Sequence, residues 1–436
     1  MRVTIEQSKQ RVGKLPEILR VYWLVLISLL LLSAATSWVA HGIFHSHETA
    51  YSILPMLRSH MASDFTCYTE RFRYFHQIQF FTVSGQPFTY PAPIAIVFEI
   101  FFGYFRHPER AFAAFCAAVY VLGGILFSRA LSHRGVSAVV AVAFTATAML
   151  ASYPFQLMFF LLNIEVVVWA LVALGIWLHV KKRPWHAAVC FGLAGSMKYF
   201  PLVYVGLLLA RKQYWQSAFA LVVCFVSTVG SLLMLGPTIP AAYHGLAGQL
   251  SGFRSFYILG FNRTDNGIDH SLFALIKLVL VVTHKLRYIA FLPLPYLAIA
   301  ALVGCLLYFG RIRKLPQLNQ VLALSVAAVL LPPLSHDYTL VHLYAPWAMF
   351  VFYALRNPGR KALWAVFACF AMLFSAQNFL VLWHDGIAIP VAGQAKALLL
   401  LVLFGIALVL EFPEAAATEA AIGSERFSSV SDDRRY

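Results

Sequence analysis

Long apolar runs separated by short polar groups dominate the chain. Such runs cover residues 20–40, 110–130, 136–152, 164–180, 216–235, 289–309, 318–334, 339–355, 362–380 and 396–411. A helix needs about 20 residues to cross the hydrocarbon core of a bilayer, so most of these runs are long enough to span or nearly so. Three further runs, 91–105, 187–210 and 271–283, are short or broken, the second of them by "MKYFP". Segments of that kind often line cavities rather than cross as regular helices. The pattern predicts an all-α polytopic membrane protein with about 10–13 transmembrane helices, forming a single integral domain over residues 1–412. Residues 41–109 are expected to be a first external loop with juxtamembrane helices, and 413–436 a disordered cytoplasmic tail.

Composition supports that reading. Of 436 residues, 61% are hydrophobic and only 12% charged, against roughly 25% charged in soluble domains. A mean hydropathy of +0.74 excludes a soluble globule. The formal charge of +15 would suit a nucleic-acid partner, but Lys and Arg are dealt out in small groups between apolar runs, which excludes that partner class. Read by the positive-inside rule, "RALSHR", "KKRPWH", "RKQYW", "RIRK" and "RNPGRK" lie in the cytoplasm with the N-terminus, whose first span is a signal anchor. Regions 41–109, 153–163, 236–288, 335–338 and 381–395 then share the external face. Five of the six cysteines fall inside apolar runs and Cys67 stands alone in a loop, so neither a disulfide framework nor a cysteine metal site is expected.

Five stretches hold unusual polar residues. In "SDFTCYTERFRYFHQIQFFTVSGQPFTYPAP", Asp64 and Glu70 lie among aromatic side chains that would hold the loop along the membrane surface. A partly desolvated acid there suits a general base, while a helix N-cap role for Asp64 is the plain structural alternative. Pro87, Pro91 and Pro93 turn the chain into the membrane by an extended path, with Tyr90 as a polar contact. "LLNIEVVVW" places Asn163 and Glu165 at the mouth of a span, and "GLAGSMKYFP" puts Lys198 inside an apolar run, where it either satisfies carbonyls freed by Pro201 or binds an anionic head group. The loop "SGFRSFYILGFNRTDNGIDHS" offers Arg254, Arg263, Asp269 and His270. Arg suits phosphate, whereas the Asp spacing lacks the closing Glu of a calcium loop. Last, "LLPPLSHDYTLVHLYAPW" carries His336, Asp337 and His342. The two histidines are off the helical i, i+4 relation, which weakens a zinc pair, and a self-satisfied His–Asp turn is the structural alternative.

In this order the pieces resemble glycosyltransferase family 87, within the GT-C superfamily of polyprenyl-phosphate-sugar enzymes. The resemblance rests on the Asp64 loop, "TYPAP", Asn163 in "LNIEVVVWALVAL", Lys198 and Pro201 in "GLAGSMKYFP", "DHSLFALI" and "LLPPLSHDYTLVHLYAPW". It covers most of residues 20–355. "YPAP" departs from the family's Pro-Pro pair, and "SHDY" stands where the family has a Trp followed by paired histidines.

The resemblance implies an inverting, metal-independent hexosyltransferase with no cofactor, active on the external face of the cell membrane. Its donor would be a polyprenyl-phosphate sugar, mannose by analogy, and its acceptor a lipid or glycan, with membrane lipids around it. Asp64 would be the general base; Arg254, Arg263, His336, His342 and Lys198 would hold the donor phosphate. Glu70, Tyr90, Asn163, Asp269, His270 and Asp337 would contact substrate. A transporter or flippase of a lipid-linked glycan is the competing class, expected to scatter charge through several spans and to show an internal repeat.

Overall fold

The structure is a computed structural model and describes residues 15–42, 63–375 and 380–413. The first polar loop, 41–109, is therefore described from residue 63, and residues 43–62 and the tail from 414 lie outside the described residues. Helices account for almost all the regular structure; the exception is a hairpin of β1 (Val381–His384) and β2 (Ile387–Pro390).

Among the described residues, five helices are long and apolar enough to cross a membrane: Pro108–Ser132, Tyr214–Leu235, Pro293–Lys314, Asp337–Arg356 and Ala392–Val409. Ala138–Leu150 and Tyr153–Leu161 make a sixth as a pair bent by 63°. Six shorter apolar helices accompany them, so among the described residues five or six helices are long enough to cross, fewer than the 10–13 expected from the sequence. The helix Glu17–Gly42 precedes them all. The runs at 91–105 and 271–283 form helices of 13 and 11 residues, Ala92–Tyr104 and Leu272–Val282. At 1.5 Å per residue each covers roughly 20 Å or less, short of the bilayer core.

Apolar side chains face outward on the long helices. Val121, Leu122, Ile125 and Leu126, then Leu221, Val222, Phe225 and Val226, then Leu302, Val303 and Leu306 are all exposed. Rows of this kind belong against lipid tails, where apolar contact costs nothing. Inside the bundle, close approach replaces the hydrophobic effect as the packing force. Glu165–Val180, Pro184–Met197 and Tyr214–Leu235 meet through glycines. A methyl group on Gly192 would stand 2.5 Å from the Ala220 carbonyl oxygen, and one on Gly175 2.5 Å from the Phe191 ring.

Breaks in the helices follow the sequence. Ser137, Ser152, Thr238 and Ser271 each accept a backbone N–H at a helix start. The bend at Ala151 and Ser152 starts Tyr153–Leu161, which is buried on nearly every side. That helix ends on Leu162 in the left-handed region, at φ 49°. Pro184–Met197 stops at Lys198, which is extended, and a 3-10 turn over Phe200–Tyr204 restarts the chain. The "MKYFP" interruption is thus a real break, with Lys198 at its corner.

Candidate active site

The first loop is folded around Arg71 and a stack of rings. Arg71 is buried, and its guanidinium donates to the carbonyls of Phe80, Val83 and Gln86. Gln249 ties the same loop down from a distant helix, donating to the Phe81 carbonyl at 2.8 Å and accepting the Phe88 N–H at 2.6 Å. Phe65 stacks on Phe102 and Phe112 with centroids 4.5 and 4.7 Å away. These contacts fix the one-turn helix Ser63–Thr66, and with it Asp64.

Asp64 does not act as a simple cap. Its Oδ2 accepts from Asn163 Nδ2 at 2.6 Å, and the same amide nitrogen lies 3.3 Å from the Tyr90 hydroxyl. Asn163 Oδ1 accepts the Glu165 N–H at 2.9 Å, so one amide both starts the following helix and orients the carboxylate. Glu165 is fully buried between two partners. Lys198 Nζ pairs with its Oε2, and His342 Nε2 lies 2.6 Å from its Oε1. Lys198 is 14% exposed and sits above the rings of Tyr338 and Tyr90, 5.2 and 5.7 Å from their centroids. Asp64, Tyr90, Asn163, Glu165, Lys198 and His342 thus form one connected polar cluster.

His336 completes its edge. The side chain is partly exposed, and its Nε2 has no hydrogen-bond partner among the described residues. Burial pushes the Asp64 carboxyl above the usual carboxylate range, opposed by the Asn163 hydrogen bond and by the nearby charges of His336 and Lys198. Asp265 is likewise raised by burial, with His336 and Lys277 drawing it back. Both carboxylates are thus biased toward the neutral form by burial, with the charge of His336 among the influences opposing it.

Asp269, His270 and Asp337 come together elsewhere, in a second cluster. Asp269 Oδ1 accepts the N–H groups of Ser271 and Ser335, each at 3.0 Å. His270 Nε2 lies 3.1 Å from Ser335 Oγ, and its Nδ1 lies 3.4 Å from Asp337 Oδ1. Asp337 Oδ2 accepts from Lys396 Nζ at 2.6 Å. Every member of this group is buried. The remaining sequence candidates lie apart. Glu70 is exposed and pairs with Arg73 at 2.6 Å, and Arg254 is exposed on a π-helical turn. Arg263 opens the short helix Arg263–Ile268, but its side chain lies outside the described residues.

Two residues of these clusters are not among the site residues the sequence points to: Glu165, which the sequence places at the mouth of a span, and Lys396 in "GQAKALLLL", which opens an apolar run. Both carry the signal of an ionisable group inside an apolar run, which is a functional or structural candidate by default.

A polytopic helical membrane protein with an acid held beside a buried lysine–carboxylate–histidine set is the class these features define. The profile described as glycosyltransferase family 87 matches residues 88–335, more than half of the chain. The chain belongs to that family and is a membrane glycosyltransferase, binding a sugar donor and an acceptor. No match is found among curated proteins or among solved structures.

Proposed function

We propose that this protein transfers a hexose, mannose by family analogy, from a polyprenyl-phosphate sugar to a lipid or glycan acceptor at the external face of the membrane, with inversion. The observation that carries the reading is the Asp64 carboxylate held by Asn163 at 2.6 Å, beside a partly exposed lysine and an unpartnered histidine nitrogen. Asp64 takes the proton of an acceptor hydroxyl as that oxygen attacks the anomeric carbon. The bond from that carbon to the phosphate oxygen breaks, and polyprenyl phosphate leaves from the opposite face of the sugar.

The leaving phosphate carries its own negative charge, so it needs cations or hydrogen-bond donors rather than an acid. Lys198 and His336 are the residues of this cluster suited to it. His342, fully buried against Glu165, holds that carboxylate and thereby sets the position of Lys198. The same proposal takes the site as GT-C-type and assigns each step to a side chain, with no metal among them.

The test follows transfer of labelled mannose from polyprenyl-phosphate mannose in membranes, together with folded yield, for the wild type and Asp64→Asn. A well-folded variant without transfer supports Asp64 as base. Normal transfer by Asp64→Asn removes it from the mechanism, and a wild type inactive with this donor overturns the donor assignment.

A further inference from the structure

Away from the Asp64 cluster, three metal-ligating side chains converge where sequence spacing gave no warning. His284, His384 and Asp385 each offer one ligand atom, and these atoms lie within 4.8 Å of one another. The carboxylate oxygen Asp385 Oδ2 lies 3.3 Å from His284 Nε2 and 3.4 Å from His384 Nε2. Both gaps are longer than the roughly 2.7–2.9 Å of a charge-assisted hydrogen bond. They match another geometry. Ligand atoms bound at about 2.0–2.1 Å to one tetrahedral ion stand about 3.3 Å from each other.

Local backbone structure holds the three groups in place. His384 and Asp385 lead into the β-hairpin turn, where Asp385 at φ 50° and Gly386 at φ 72° match the Asp-Gly signature of a two-residue type I′ connection. His284 follows the helix Leu272–Val282 in a Schellman cap, with its own N–H bonded to the Val281 carbonyl and the Lys285 N–H to that of Leu280. The cap position normally favours glycine, yet here it is a histidine at φ 56°. The imidazoles face each other with centroids 5.3 Å apart, and His384 Nε2 is buried without a hydrogen-bond partner among the described residues.

We propose that His284, His384 and Asp385 bind a divalent first-row transition metal, with zinc as the natural probe. Two neutral imidazoles and one carboxylate suit zinc, copper or nickel and disfavour magnesium or calcium, which prefer all-oxygen shells. Three protein ligands leave a fourth tetrahedral position to water. The ion clamps the hairpin to the end of Leu272–Val282. The hairpin is already tied to the Asp269 region, because Pro390 O accepts from Asn266 Nδ2 at 2.9 Å. Metal binding therefore stiffens the segments that cover Asp269 and His270, without touching the Asp64 cluster.

The experiment uses full-length protein in detergent, with any affinity tag removed and metal stripped by a chelator, titrated with zinc against a competing chromophoric chelator. One zinc per chain is expected, with affinity at least about tenfold weaker in His284→Ala and in His384→Ala. Zinc is expected to raise the unfolding temperature of the wild type, magnesium to leave it unchanged. His284 is 71% exposed, so His284→Ala serves as the variant that keeps its fold. Zinc binding of equal affinity in wild type and His284→Ala places the ion elsewhere and overturns the proposal, as does a wild type that retains no zinc at micromolar concentration.

Discussion

Two parts of this molecule are built from the same three side-chain types and end up differently. Glu165, Lys198 and His342 form one buried set; Asp337, Lys396 and His270 form the other. In each, a carboxylate lies between a lysine and a histidine. The first set is joined through Asn163 to Asp64, and its lysine reaches a partly exposed position. In the second, carboxylate, lysine and histidine all have 0% side-chain exposure, and Ser335 and Thr339 occupy the remaining histidine nitrogen. A sealed triad with its hydrogen bonds spent internally fixes chain segments to one another. An open one retains groups that can meet a substrate. The two sets therefore differ in access, not in residue type.

That contrast can be broken most directly at Asp64. Asp64→Asn keeps the shape and removes the proposed base, so transfer is expected to fall by at least about 100-fold while folded yield is unchanged. Loss of folded protein instead would move Asp64 into the structural class.

The sealed triad should answer in the opposite way. Lys396→Met leaves the buried Asp337 carboxylate without its lysine, a defect worth about 3–5 kcal/mol. Detergent-solubilised yield and thermal stability should drop sharply, and the double variant Asp337→Leu/Lys396→Met should recover part of the loss. A single variant with normal stability and no transfer would show that the second triad is part of the chemistry.

Asn163→Ala sharpens the comparison at the link between groups. The Asn163 N–H stabilises ionised Asp64, while burial favours the neutral acid. Removing the donor raises the Asp64 pKa further, so this carboxyl, the proposed base, stays protonated to higher pH. The acidic limb of the pH–rate profile should move upward, and transfer near neutrality should fall about tenfold, as for a lost hydrogen bond to a charge. An unmoved limb would separate Asn163 from the titrating group.

The smallest effect is expected at Glu70. Its pair with Arg73 is solvent-exposed, and Glu70→Gln should change transfer by less than about twofold. A large loss in the same assay would place substrate against that outer surface.

Much of this was legible in the sequence because polar residues stand out in an apolar chain. Asn163, Lys198 and the His336–His342 segment were conspicuous for that reason, and the family resemblance was carried by the same residues. Pairing was not legible. Asp64 and Asn163 are 99 positions apart and Glu165 and His342 177, and no periodicity reports contacts at such range. By residue type Glu70 and Asp64 are both acids among aromatic side chains of one loop, and the resemblance alone gives them different roles. Only the packing of Phe65 beneath one of them, and of Arg71 into the loop carbonyls, decides which acid turns inward. Lys396 was missed because a lysine near the start of an apolar run reads as a boundary charge until a buried carboxylate is found opposite it.

The separation between Glu165 and its partners also orders the birth of the protein. A chain inserted from its N-terminus brings Glu165 toward the membrane before either partner exists. Lys198 follows 33 residues later, at the end of the next helix, while His342 follows after 177. The lysine is thus the first of the two partners to be made, and the histidine joins last. A chain that ends before residue 198 therefore holds Glu165 without either of its partners.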